Sequence, residues 1–252
     1  MTDKYHTDVG DGISRTMLTT YATSPRLFEA QYITRTVPRP TTPALTVGKL
    51  VHTACLEPEK LTQYEVWKGS RRYGKEWESF YDRCREAGKE SVTQAEYDTA
   101  YGCSVAVRNA IGTWISAATD REQEFRTKVG DLEIKCKADL MLDVAGTLLC
   151  VDIKTTQDEQ PTSFAKDVYR YRYDWQDIHY TTCIEANVDR PVQFLIVAVR
   201  KTPPHTVQRY IIDDDRRAEV RIRWQETLER LSNAIQTGDY SGPHENRIYE
   251  VR

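Results

Sequence analysis

The chain lacks a long hydrophobic run. Its longest nearly apolar stretch is Val192 to Val199, with Gln193 inside it. A spanning helix needs about 20 apolar residues, so no membrane segment and no membrane partner are predicted. The opening stretch, MTDKYHTDVGDG, is polar and acidic, without a basic region followed by an apolar one. That predicts no Sec-type signal and a cytoplasmic protein. Clustered cysteines are missing too. Cys55, Cys84, Cys103, Cys136, Cys150 and Cys183 are never closer than 14 residues. This excludes a compact CxxC metal or redox motif and predicts reduced thiols. A charge excess of one sign is absent: Lys+Arg total 35 against Asp+Glu 38, a net charge of −3. A protein that coats nucleic acid nonspecifically is therefore not expected, whereas a nuclease with an acidic metal site and a local basic channel is compatible. There is no internal repeat and no low-complexity segment.

What is present suits a folded chain. Fifteen Tyr, five Trp and five Phe supply buriable surface. The 252 residues are read as a single domain, residues 1–252, with a helical insertion at about 60–118. Ser14 caps a short helix through Tyr21, and Ser24-Pro25 begin another over Arg26 to Tyr32. Three prolines between Val37 and Pro43 predict a loop. Thr46 is expected to cap a helix whose apolar positions Val47, Leu50, Val51, Ala54 and Cys55 fall on one face. Residues 68–75, KGSRRYGK, form a basic loop with Lys68, Arg71, Arg72 and Lys75 as DNA-backbone candidates. A solvated loop with no partner is the competing reading.

After helices near 76–87 and 94–118 the period changes to two. QEFRTKV, LEIKCKADLMLD and TLLCVDIKTT are separated by tight turns and predict an antiparallel meander. Two helices, near 161–169 and 174–187, follow. VQFLIVAV is then a buried strand with HTVQRYII as its hairpin partner, and a terminal helix opens at Asp213 to Asp215. The fold class is α/β (α+β): one mixed central sheet flanked by helices.

In the second meander strand Glu133, Lys135, Lys137 and Asp139 are expected on one face, with Ile134, Cys136, Ala138 and Leu140 on the other. In the third, Asp152 and Lys154 share a face while Val151 and Ile153 point into the core. Asp139 and Asp152 then approach across adjacent strands. Paired carboxylates repel unless a cation lies between them, and oxygen ligands suit Mg²⁺ or Mn²⁺. Lys154 would point at the same site. A solvated salt-bridge ladder would give the same alternation. His52 lies on an apolar helix where Gly48, one turn back, would leave room beside its ring. Tyr173, Gln176 and Tyr180 line one helix face, either as packing with polar tips or as donors to phosphate oxygens.

Taken in order, His52 within GKLVHTACLEP, Asp139, Asp152-Ile153-Lys154 and Gln176-x₃-Tyr180 resemble the PD-(D/E)XK nuclease superfamily. The HxxxLEP string from His52 to Pro58 and the segment SRTMLTTYATSPRLFEAQY are similar to its phage-type exonuclease VIII branch, the RecE exonuclease domain. The resemblance spans roughly residues 13–200. It implies a restriction-endonuclease-like core and a Mg²⁺-dependent deoxyribonuclease, a 5′→3′ double-strand exonuclease of phage recombination, for which Mn²⁺ would substitute. It also implies His52, Asp139, Asp152 and the Ile153 carbonyl as metal ligands, Lys154 as the catalytic lysine, and Gln176 and Tyr180 as the family's QxxxY pair. Double-stranded DNA ends, a homo-oligomeric ring and a single-strand annealing protein are the implied partners, in a bacterial or phage-infected host cell. An endonuclease of the same fold, or an inactive DNA-binding or assembly module, are the alternatives. Ser24 stands where iron–sulfur relatives carry a Cys-Pro pair, and no cysteine follows Cys183, so no cluster is expected. Ala138 takes the place of the usual proline before Asp139.

Overall fold

The computed structural model describes residues 8–40, 42–69 and 71–242. The opening residues 1–7, on which the absence of a signal was read, lie outside the described residues. Among the described residues no helix is long and apolar enough to cross a membrane.

Strand β1 (Ile13–Ser14) leads directly into α1 (Arg15–Thr23). Ser14 caps α1, its hydroxyl accepting from Met17 N. Ser24 then caps α2 (Pro25–Phe28), which continues as a π-helical turn over Glu29–Ile33. Helix α3 runs over Pro43–Leu56. It starts earlier than expected: Thr42, not Thr46, is the cap, and Pro43 occupies the first helical position. A proline is well tolerated there because its missing N–H would have no helical partner. Its five apolar positions are all buried, as the spacing predicts.

Short strands β2 (Tyr64–Trp67) and β3 (Glu90–Thr93) pair in parallel around α4 (Lys75–Glu86). Neither strand was expected from the sequence, since four residues give too little alternation to register. Helix α5 (Gln94–Ala117) begins with a capping box, Thr93 and Glu96 bonding each other's backbone N–H. Residues 60–118, expected as a helical insertion, therefore include a small sheet. Their long helix also fills a face of the main core, through Ala100, Cys103, Val107, Ile111 and Ile115.

The meander is present. Strands β4 (Asp120–Val129), β5 (Leu132–Val144) and β6 (Thr147–Thr156) pair antiparallel. Helices α6 (Pro161–Tyr171) and α7 (Tyr173–Glu185) carry the chain across to β7 (Val192–Arg200), which lies parallel to β6. Strand β8 (Val207–Tyr210) closes a hairpin on β7. Helix α8 (Asp214–Thr237) follows, capped by Asp213 and ended by Gly238 in the left-handed region (φ 72°).

The sheet separates two cores. Residues of α1, α2, α7 and α8 pack on one face with Ile134, Cys136, Ala138 and Met141. Residues of α3 and α5 pack on the other with Leu140, Leu142, Val151 and Ile153. This corrects the expected faces of β5. Ile134, Cys136 and Ala138 share a face, but Leu140 lies on the opposite one. The alternation slips at Asp139.

The cause is a break in both ladders at that level. Pairing of β4 with β5 is regular from Val129↔Leu132 to Gln123↔Ala138 and resumes at Arg121↔Leu140. Glu122, opposite Asp139, sits at φ 51°, a left-handed backbone inside a strand. On the other edge of β5, β6 pairs only as far as Leu140↔Val151. Strand β1 takes that same edge further down, at Ile134 and Lys135. A fork is left between β5 and β6, open at Asp139.

The floor of the first core includes a buried histidine. His179 lies between the Lys135 carbonyl, 3.1 Å from Nε2, and the Trp224 indole, whose Nε1 donates to Nδ1 at 3.2 Å. This pair of bonds requires the neutral ring with the proton on Nε2. Burial holds the imidazole down to about 4 from its ordinary 6.5. A folded value below the unfolded one means that the unfolded chain binds more protons between them. Stability is thus fully present above pH 6.5 and lost as pH falls towards 4, by up to about 3 kcal/mol. Urea unfolding across this range should show that slope. His179→Gln, which still accepts from Trp224 and donates to Lys135, should flatten it, and an unchanged slope in the variant would contradict the assignment.

Candidate metal centre and active site

The fork leaves the backbone of Ile153 without a strand partner on the β5 side. A buried N–H or C=O must find another bond or cost free energy. Two side chains supply it. Asp139 Oδ2 accepts from Ile153 N at 2.8 Å, and His52 Nε2 lies 2.6 Å from Ile153 O. His52 Nδ1 in turn lies 3.2 Å from Asp139 Oδ2. Helix α3, packed across this end of the sheet, thus delivers His52 to the opening. Gly48, expected to leave room beside the ring, instead faces β6. A Cβ there would lie 3.7 Å from Thr155 Oγ1, an ordinary contact.

With a carbonyl on one nitrogen and a carboxylate on the other, His52 is held as the doubly protonated imidazolium. Burial opposes that charge, but Asp139 outweighs it and lifts His52 to about 9. Asp139 moves the opposite way. Burial pushes its carboxyl up, yet His52, Lys154 and the Ile153 N–H together hold it below the usual carboxylate range.

Glu122 completes a triad. One ligand atom each from His52, Glu122 and Asp139 lie within 4.8 Å of one another. Burial and the neighbouring Asp139 raise Glu122 above its ordinary value, against the pull of Lys137 at 2.6 Å. The sequence reading missed Glu122 because the strand was begun at Gln123. Its only signal is an acidic residue at the edge of a strand, which is unremarkable until the left-handed backbone turns it towards Asp139. Outliers of this kind concentrate at functional sites.

Asp152 lies across the fork, 1% exposed. Gln176 Nε2 donates to its Oδ1, and Lys154 Nζ pairs with its Oδ2. Burial, reinforced by Asp139, leaves its carboxyl above the ordinary value despite Lys154. Gln176 is anchored from behind by Arg15, whose Nη2 donates to Oε1 at 3.2 Å. Arg15 carries no sequence signal of its own; it acts because β1 runs straight into α1 beside β5. The Tyr173 ring lies under Lys154 Nζ, 5.2 Å from its centroid. Tyr180 packs edge-on against Phe194 at 5.8 Å.

The structure thus gathers His52, Asp139, Asp152, Ile153 O, Lys154, Tyr173 and Gln176 around one opening. On the basic loop the cations have partners of their own or are exposed. Arg72 pairs with Glu96 and lies over Trp77, 5.6 Å from its ring. Arg71 bonds Tyr73, while Lys68 and Lys75 are exposed.

An imidazole, a backbone carbonyl and up to three carboxylates form a donor set suited to Mg²⁺ or Mn²⁺. The fit has a direct structural expression. A proton-bearing imidazolium now supplies the positive charge that a divalent cation would bring. Cation binding must displace that proton, because a ligating histidine is neutral. Mn²⁺ affinity should therefore weaken as pH falls below about 9, with a proton released on binding. Calorimetry in buffers of different ionisation enthalpy would read that proton. Glu122→Gln should weaken Mn²⁺ binding at pH 8 at least tenfold. Wild-type affinity in this variant would remove Glu122 from the ligand set.

Comparisons with known proteins agree with this architecture. A protein from Eubacterium rectale that carries a provisional exonuclease name superposes at a TM-score of 0.63. It has 13% identity, over 96% of this chain and 90% of that one. SSO0001 aligns at a TM-score of only 0.32 and 14% identity, over 72% of this chain and 85% of that one, which carries no argument. No curated protein matches the chain. The family described as a PDDEXK-like domain of unknown function matches residues 14–246. That match spans nearly the whole chain, which therefore belongs to this family, DUF3799, of PDDEXK-like domains.

Proposed function

We propose that the protein is a metal-dependent deoxyribonuclease that hydrolyses phosphodiester bonds at the β5–β6 fork. The observation that carries this reading is the convergence of His52, Glu122 and Asp139 opposite the Lys154–Asp152 pair. The provisional exonuclease name of the Eubacterium rectale protein lends the exonuclease form of the reading some support. A 5′→3′ action on double-stranded ends, a ring assembly and an annealing partner are the finer form of the proposal. They rest on the resemblance to the phage-type branch.

His52, Glu122, Asp139 and Asp152, with the Ile153 carbonyl, would hold the cation. When bound, such a cation polarises the phosphate and lowers the pKa of a water. The chain's own groups do the rest. Lys154 Nζ is placed by Asp152 on one side and the Tyr173 ring on the other, so its charge is aimed rather than free to sweep. An ammonium there stabilises negative charge as it develops on the phosphoryl oxygens. Gln176 fixes the orientation of Asp152, and Arg15 fixes Gln176. Lys68, Arg71 and Lys75 on the basic loop would contribute backbone contacts, Arg72 being engaged with Glu96.

The deciding experiment incubates end-labelled linear duplex and closed circular DNA with Mg²⁺, and with chelator as control. Loss of the linear DNA alone is the expected result. Cutting of the circle would favour an endonuclease, and cleavage of neither would favour a binding module. Within this scheme Lys154→Ala should bind Mn²⁺ at least as tightly as wild type, since it removes a repelling charge, yet lose cleavage by at least 100-fold. Full-rate cleavage at saturating metal would reduce Lys154 to a structural counter-ion.

A further inference from the structure

Three carboxylates border the fork, and each has a cation of its own. Asp139 pairs with the His52 imidazolium at 3.2 Å and Asp152 with Lys154 at 2.5 Å. In the third pair Lys137 Nζ lies 2.6 Å from Glu122 Oε2, and the proposed chemistry gives Lys137 no part. Cys136 and Ala138 face the first core, so Lys137 between them projects towards α3. Glu57, the residue that ends α3, acts on it from that side. Burial disfavours the Lys137 charge, but Glu122, Glu57 and Asp139 outweigh it and raise the ammonium above its ordinary value. A fixed positive charge is thus set against two members of the ligand set.

The three cations differ in what a divalent ion does to them. The His52 proton leaves, because a ligating imidazole is neutral. The two ammonium groups keep theirs. One divalent ion then gives the fork one positive charge in excess of its three carboxylates, which a single phosphodiester neutralises. A second ion would leave an excess of three. Like charges held together are unfavourable unless further anions offset them. Two-ion nuclease sites hold their ions about 3.5–4 Å apart. At that distance their repulsion requires an anion between them. The carboxylate placed for that task is Glu122, and its Oε2 is already taken by Lys137.

We propose that the fork takes one divalent cation, and that the Lys137 ammonium holds on Glu122 the place a second would need. This rests on the metal-centre reading and sets the number of ions with which the site works. Lys137 is a positioning residue in this scheme. It engages one carboxylate oxygen of Glu122, so that Glu122 serves a single ion and does not bridge two. Lys154 is placed differently, on Asp152 and over the Tyr173 ring. The Lys137 side chain is 40% exposed, so its removal opens a place that solvent and a second ion can reach.

The test counts Mn²⁺ bound per chain at pH 8 from the electron paramagnetic resonance signal of the free ion, and records the spectrum of the bound ion on the same samples. Wild type should bind one ion and give the spectrum of an isolated centre. Lys137→Met and Lys137→Gln, which remove the charge and keep most of the stem, should bind two and show the exchange-broadened spectrum of a close pair. Lys137→Arg should stay at one. Glu122→Gln added to Lys137→Met should return the count to one, since it removes the bridging anion. Two ions in the wild type, a result that needs no variant, overturn the inference. So does a count of one in both neutral variants when their circular dichroism matches that of wild type. A second ion that survives Glu122→Gln lies elsewhere and also overturns it. No uptake by wild type contradicts the metal centre and this inference together, whereas one ion in every protein overturns this inference alone.

Discussion

The site depends on one unmade set of hydrogen bonds. Strand β6 leaves β5 after Val151, and the backbone N–H and C=O of Ile153 lose their strand partners. In a buried sheet that loss costs about 1–3 kcal/mol per group unless something replaces the bond. Asp139 and His52 are the replacements. Each is thereby held at the opening by its backbone contact. The left-handed Glu122 belongs to the same defect, seen from β4. Scaffold and site are therefore one feature, because the break that weakens the ladder creates the opening and Asp139 and His52 close it.

Charge compensation follows from that arrangement. Buried carboxylates cannot accumulate without a counter-charge. Two are present, an imidazolium on His52 against Asp139 and an ammonium on Lys154 against Asp152. They play different parts. The proton on His52 can leave, which frees a nitrogen ligand. Lys154, paired with Asp152, is the group that the proposed reaction would turn towards phosphate. Arg15 and Gln176 extend the order outward to α1 and α7, so the opening is braced by two segments far apart in the chain.

Much of the fold is legible in the sequence. Tight turns at Gly130-Asp131 and Ala145-Gly146 bound strands of clear alternation, and the meander is where that pattern puts it. The apolar spacing in α3 and the caps at Ser14, Ser24 and Asp213 read equally well. The start of α3 does not, because Thr42-Pro43 and Thr46 are both plausible openings and only packing selects between them. The paired strands β2 and β3 are too short to carry a period. Of the site, His52, Asp139, Asp152, Lys154 and Gln176 are legible through the resemblance of their order to the nuclease motif, not from spacing alone. Glu122 and Arg15 are not. Their roles come from a backbone inversion and from the meeting of segments over 100 residues apart, neither of which leaves a local pattern.

The proposed cation site lies at the break at Asp139. Crystals of the protein soaked in Mn²⁺ and measured at the manganese absorption edge test it most directly. One anomalous peak is expected in the fork, roughly 2.2 Å from atoms of His52 and Asp139 and bordered by Glu122 and Asp152. The same soak of Asp139→Asn should show the peak lost or weakened. A fork without density at saturating Mn²⁺, with His52 still bridging Asp139 and Ile153, would show that the break is not a cation site.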